Sequence, residues 1–139
     1  MRHRLATTAD VVLLGEWNHQ LIRDEGHRNS MTPSELAERM RGWLEGTYQA
    51  ILFGEESELI AYALYREEAD HIYLRQLFVR RDRRSKGVGR ACLKILLSEV
   101  WPPGKRVVVE VLCGNPKAIA FYHSLGFGDY SLALELFPE

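Results

Sequence analysis

The chain has 139 residues, 46% of them apolar, and its 18 Lys plus Arg almost balance 19 Asp plus Glu. That length suits one hydrophobic core, so a single domain over residues 1–139 is expected, and the near-neutral balance supplies no field to hold a polyanion, which excludes nucleic acid from the expected partners. No apolar run approaches the roughly 20 residues of a membrane span, and Met1-Arg2-His3-Arg4-Leu5 lacks the apolar stretch of a signal peptide, so the expectation is a cytoplasmic protein without membrane attachment.

In chain order, a short N-terminal strand leads through Thr8 into a helix carrying Val11, Leu14, Trp17 and Leu21 at helical spacing. The polar stretch Arg23 to Met31 breaks that period and reads as a loop. It closes on Thr32-Pro33-Ser34-Glu35, which supplies an N-cap, a proline at the first helical position and a capping-box glutamate. The second helix turns Leu36, Met40 and Trp43 inward and stops at Gly46. Short apolar runs follow, Tyr48 to Phe53, Leu59 to Tyr65 and Ile72 to Val79, whose short connections predict an antiparallel meander.

The basic, glycine-containing stretch Arg80 to Arg90 then opens a helix over Ala91 to Val100, ended by Trp101-Pro102-Pro103-Gly104. The β-branched run Val107 to Leu112 predicts a strand buried on both faces and paired parallel to the strand before the helix. Asn115-Pro116 caps a short helix bearing Ile119, Phe121, Tyr122 and Leu125, and Tyr130 to Phe137 alternates as a last strand. The fold class is α/β: a mixed central sheet, element order β-α-α-β-β-β-α-β-α-β, with helices on both faces. Cys92 and Cys113 have no metal-ligand spacing and read as buried, reduced thiols, so no metal is expected.

The chemistry concentrates where strand meets helix, at Arg84-Ser85-Lys86-Gly87-Val88-Gly89-Arg90. Glycines allow close backbone approach there, the helix start offers N–H groups without intrahelical partners, and the helix dipole adds roughly half a positive charge. With Arg80, Arg81, Arg83, Arg84, Lys86 and Arg90 around it, the loop suits a pyrophosphate; the plainer alternative is a tight turn with a solvated basic face. A Walker A loop is excluded, because Arg90-Ala91 follows the last glycine. A dinucleotide fingerprint fits poorly: Cys92 stands where a third small residue belongs, and several strands precede the loop.

Arg84-x-x-Gly87-x-Gly89, preceded by Leu77-Phe78-Val79 and followed by Asn115-Pro116-Lys117-Ala118-Ile119-Ala120-Phe121-Tyr122 with Leu125-Gly126-Phe127, resembles the paired motifs of the GCN5-related N-acetyltransferases. The proline often found before that family's loop is replaced here by Arg80-Arg81-Asp82-Arg83, which implies a reshaped turn. The resemblance implies acetyl-CoA as co-substrate, threaded between two splayed parallel strands. Pantetheine would pair with the backbone of Leu77, Phe78 and Val79, and the pyrophosphate would lie on the loop from Arg84 through Ser85, Lys86, Gly87, Val88 and Gly89 to Arg90.

It also implies direct attack by a primary amine in a ternary complex, the amine belonging to a small molecule or a protein, and a homodimer is common in such families. Glu110 takes the position of a general base, or else is an outward strand residue paired with an arginine. Tyr122 takes that of the proton donor to the leaving thiolate, or else is a core tyrosine. Asn115 would touch pantetheine, or only cap its helix. Asp24, Glu25, His27 and Asn29 would border the acceptor site, or form a solvated loop. A non-catalytic acyl-CoA-binding module would keep Gly87 and Gly89 without needing Tyr122 or Glu110, and a dinucleotide-binding domain is the weaker alternative.

Overall fold

The computed structural model describes residues 1–139. Strand β1 (Arg2–Leu5) leads through a turn capped by Thr7, one residue before the expected Thr8, into α1 (Val11–Glu25). Helix α2 (Pro33–Glu45) begins as its sequence dictates: Thr32 accepts from the Glu35 N–H at 3.2 Å, and the Glu35 carboxylate accepts from the Thr32 N–H at 2.9 Å. The meander β2 (Tyr48–Glu55), β3 (Glu58–Glu67) and β4 (His71–Val79) follows, then α3 (Val88–Ile95), β5 (Arg106–Val109) and α4 (Pro116–Ser124). Helix α3 loosens into a π-turn over Leu96–Val100.

The sheet runs in the order β1-β2-β3-β4-β5, antiparallel except for the parallel pair β4 and β5. Its alternating side chains feed two cores. Ala50, Leu52, Tyr62, Leu64 and Phe78 pack beneath α1 and α2, while Ile51, Phe53, Ala61, Ala63, Ile72 and Leu74 meet Val88, Cys92, Leu93 and Leu96 on the opposite face. Trp17 of α1 stacks on Phe78 at 5.1 Å, and Phe78 on Tyr62 at 5.7 Å, so an aromatic column fixes α1 to the middle of the sheet. Removing the Phe78 ring from this fully buried position would cost about 3–5 kcal/mol.

Four expectations need correction. The strand buried on both faces is β3, whose residues Ile60 to Tyr65 are all buried; β5 ends at Val109 and is only half-buried, because it closes the sheet and pairs on one side alone. Residues 130–137 form no strand: Leu134 is 86% exposed and Leu136 84%, and the segment makes side-chain contacts without a ladder, as where Arg28 meets Glu135 at 2.6 Å. Alternation supplies β propensity, but a strand also needs an edge to pair with. Asp24 and Glu25 close α1 and do not belong to the loop, since the helix runs on to Gly26 at φ +74°. Cys113 is exposed; Cys92 is buried, and that burial pushes its thiol up to about 12.

No helix is long and apolar enough to cross a membrane.

A cleft between splayed strands

Strands β4 and β5 pair only from His71↔Arg106 to Leu74↔Val109. The next β4 residue, Arg75, has no partner in β3, because the register passes from Tyr65↔Leu74 directly to Leu64↔Gln76. Such a bulge bends its strand. Beyond it β4 continues along β3, the chain after Val109 leaves for α4, and between them opens a cleft of about 410 Å³, within the range of small-molecule sites.

The cleft walls bring together residues from distant parts of the chain. Gln76 and Leu77 come from β4, Glu110 to Leu112 from the segment after β5, and Ala118 and Tyr122 from α4, with Asn115 at its N-cap. Glu25, His27 and Asn29 line the opposite side. Phe78 points into the α1 core, so it can reach a ligand only through its backbone.

Tyr122 is wedged edge-on between Phe121 and Phe127, with ring centroids 5.0 and 5.3 Å away, yet its hydroxyl makes no hydrogen bond to the protein. Burial, and then the nearby Glu25, raise its pKa, so the phenol stays protonated and available to donate. Glu110 has no arginine partner: the Tyr73 hydroxyl donates to its carboxylate at 2.8 Å, and burial together with that bond pushes Tyr73 up to about 12. Asn115 caps α4 by accepting from the Ala118 N–H at 3.3 Å and also lines the cleft.

At the end of α1 the two carboxylates differ. Asp24 is bound to Arg81 at 2.9 Å and Arg84 at 2.7 Å, and the Arg81 hydrogen bond holds its carboxyl below the usual range. It is spent on structure. Glu25 faces the cleft, where burial raises its pKa despite His27 at 3.2 Å. Asn29 folds back to accept from the Met31 N–H at 2.8 Å.

At the glycine loop, Ser85 and Gly87 both adopt positive φ, +62° and +80°. Gly87 forms the N-cap of α3 without any side-chain cap, and nothing lies within 4 Å of where its Cβ would stand. The first N–H groups of α3 therefore lack a side-chain acceptor beside open space, which fits a phosphate. Gly89 serves a different purpose: a Cβ there would lie 3.2 Å from the Phe121 ring, so this glycine lets α4 approach α3. The loop's cations are mostly neutralised. Arg80 pairs with Asp82, Arg81 and Arg84 with Asp24, and Arg83 with Glu55 and Glu58, which leaves Lys86 and Arg90 as the two without a carboxylate.

Sequence reasoning missed Asn18, Arg39 and Arg75, all of which line the cleft. One signal was present: Asn18 lies four residues from both Leu14 and Ile22, on the buried stripe of α1.

A bulged strand thus splays from its parallel neighbour, and the helix that follows it starts without a side-chain cap. The Acetyltransferase (GNAT) family model matches residues 16–127, and the chain belongs to that family. It is 31% identical over 85 residues to the [ribosomal protein bS18]-alanine N-acetyltransferase of Escherichia coli K12, a match that spans 60% of this chain and 57% of that relative. Among solved structures, a point mutant of a Bacillus halodurans protein superposes with a TM-score of 0.77 at 23% identity, covering 100% of both chains. A predicted acetyltransferase with acetyl-CoA from Clostridium acetobutylicum gives 0.71 at 18% identity, covering 98% of this chain and 95% of that one. These structural likenesses show the same fold.

Proposed function

We propose that the chain transfers the acetyl group of acetyl-CoA to a primary amine by direct attack in a ternary complex. The observation that carries this reading is the Tyr122 hydroxyl, protonated and without a protein partner, on the wall of a cleft opened by the Arg75 bulge. Family membership, and likeness to a structure determined with acetyl-CoA, support the choice of co-substrate.

The co-substrate supplies an acyl group activated as a thioester. The residues that would hold it are the backbone of Leu77, Phe78 and Val79 along the unpaired edge of β4, and the backbone N–H groups of the loop from Arg84 through Ser85, Lys86, Gly87, Val88 and Gly89 to Arg90, with Asn115 at the α4 end. Arg84 acts from the side: its guanidinium donates to the Val79 carbonyl at 2.8 Å and pairs with Asp24, which braces the loop against β4 and α1.

An amine with a pKa near 10.4 is about 0.1% neutral or less at pH 7, so deprotonation is worth about 4–5 kcal/mol, whereas an α-amine near 7.7–8.0 needs far less help. Glu110, held by Tyr73, accepts the proton that the nitrogen sheds as its bond to the acyl carbon forms and the carbon–sulfur bond breaks. Tyr122 donates a hydrogen bond to the departing sulfur; a thiol near pKa 8.5 is a good enough leaving group for that donor to suffice. Glu25, His27 and Asn29 border the acceptor amine, and Glu25 matches its positive charge.

The alternative is a module that binds acyl-CoA without chemistry. Calorimetric titration with acetyl-CoA, free CoA and NAD, followed by thiol release with an amine panel, separates the readings. Binding of both CoA compounds with amine-dependent thiol release is expected; binding without release would identify the module, and NAD binding would withdraw both.

A further inference from the structure

Of the arginines outside the glycine loop that lack a carboxylate partner, two line the cleft: Arg39 of α2 and Arg75 at the β4 bulge. Their guanidiniums lie over the Trp43 ring, at 4.3 and 4.6 Å from its centroid. Arg39 is held by Asn18, whose Oδ1 accepts from Nη2 at 3.1 Å, and Arg75 by the Tyr48 hydroxyl at 3.3 Å. Asn18 is fully buried, and its Nδ2, like the Arg39 Nε, has no hydrogen-bond partner.

This arrangement opposes its own stability. Two like charges share one aromatic ring, and buried donors are left unsatisfied, each of which costs stability. Arg66, nearby on the same Tyr48 ring, shows the ordinary remedy, since it pairs with Glu68. Arg39 and Arg75 have no such neighbour. Glu25 and Glu110, the acids of the same cleft, pair elsewhere, with His27 and Tyr73.

We infer that Arg39 and Arg75, set by Asn18 and Trp43, form an anion subsite for the acceptor, and that the substrate class is an amine that also carries a carboxylate. The guanidinium fork matches the two oxygens of a carboxylate, and an anion bound beside these arginines offsets their repulsion. The inference rests on the acetyl-transfer reading, because it supposes that the other end of the molecule is the amine held by Glu25 and Glu110.

The test uses matched pairs: glycine, β-alanine, γ-aminobutyrate and dipeptides ending in glutamate, each against its carboxamide. Each compound is titrated by calorimetry into the chain saturated with free CoA, with thiol release from acetyl-CoA measured in parallel. At least one carboxylate should bind about 10- to 100-fold more tightly than its carboxamide. Arg39→Met and Arg75→Met should each bring that ratio close to one while leaving CoA affinity unchanged, and Arg75, being exposed, can be changed without disturbing a core. Equal affinity within every pair, or no binding by any carboxylate, overturns the subsite even if neutral amines are acetylated. Failure to bind CoA at all overturns the acetyl-transfer reading itself.

Discussion

The glycine loop and the cleft beside it show opposite relations between charge and its use. At the glycine loop six cations crowd within eleven residues, yet four of them are bound to Asp24, Glu55, Glu58 and Asp82. In the cleft two arginines come from segments 36 positions apart, Arg39 and Arg75, and neither meets a carboxylate. The crowded loop has a strong sequence signal but little free charge, and the sparse cleft the reverse. Availability, set by pairing, decides which cation can recognise an anion.

Tyr122 lines the cleft, and its removal should have the largest effect. Tyr122→Phe removes the hydrogen bond to the departing sulfur and should lower kcat by about 10²–10³-fold with CoA affinity nearly intact, measured by thiol release under saturating substrates. A near-wild-type rate in a folded variant would remove Tyr122 from the mechanism and leave loop and cleft as binding sites without shared chemistry.

The loop's two glycines should separate next. Gly87→Ala forces a side chain into a left-handed conformation at about 1–2 kcal/mol and narrows the space beside the α3 start, so CoA should bind about 10-fold or more weakly. Gly89→Ala instead presses on Phe121, costs about 1–3 kcal/mol, and should lower Tm by several degrees with a smaller change in CoA affinity. Calorimetry and thermal melts on the same pair of variants check this; matching effects would mean that the two glycines share one role.

Much of this was legible before any coordinates. Thr32, Pro33 and Glu35 announce α2 because capping is local, and Asn115 announces α4 for the same reason, whereas α3, which has no side-chain cap, begins at Val88 and not at the expected Ala91. What was not legible depends on pairing across distance. Val107 to Leu112 read as a strand buried on both faces because β-branching reports propensity, whereas position at the sheet edge is decided by which strands reach it. Tyr130 to Phe137 read as a strand for the same reason. The basic loop looked like six free charges because the acids that neutralise Arg81, Arg83 and Arg84 come from α1, β2 and β3. The anion subsite was invisible because Asn18, Arg39 and Arg75 meet only once α1, α2 and the bulge are assembled.

Within the loop, the unpaired cations should outweigh the paired ones. Lys86→Ala and Arg90→Ala should each weaken CoA binding by about 5-fold at low salt and less at high salt, while Arg83→Ala, which breaks bridges to Glu55 and Glu58, should change it by less than about 2-fold. The opposite order would mean that paired charges still direct the phosphate.

The smallest effect is the most direct trial of the pairing argument. Asp24→Asn releases Arg81 and Arg84, so CoA should bind about 2- to 5-fold more tightly at low salt, an advantage that salt abolishes. The released arginines also remove a stabilising contact, with a definite pH signature. Because the Arg81 hydrogen bond lowers the folded pKa of Asp24, that stability is present above the ordinary carboxylate pKa of 3.8 and disappears as pH falls through the folded value. Thermal melts at neutral pH should therefore place the variant slightly below the parent, and the gap should close in acid. Tighter CoA binding together with that closing gap would show that Asp24 withholds two cations from the phosphate end; unchanged binding would mean that Arg81 and Arg84 point away from it even when free.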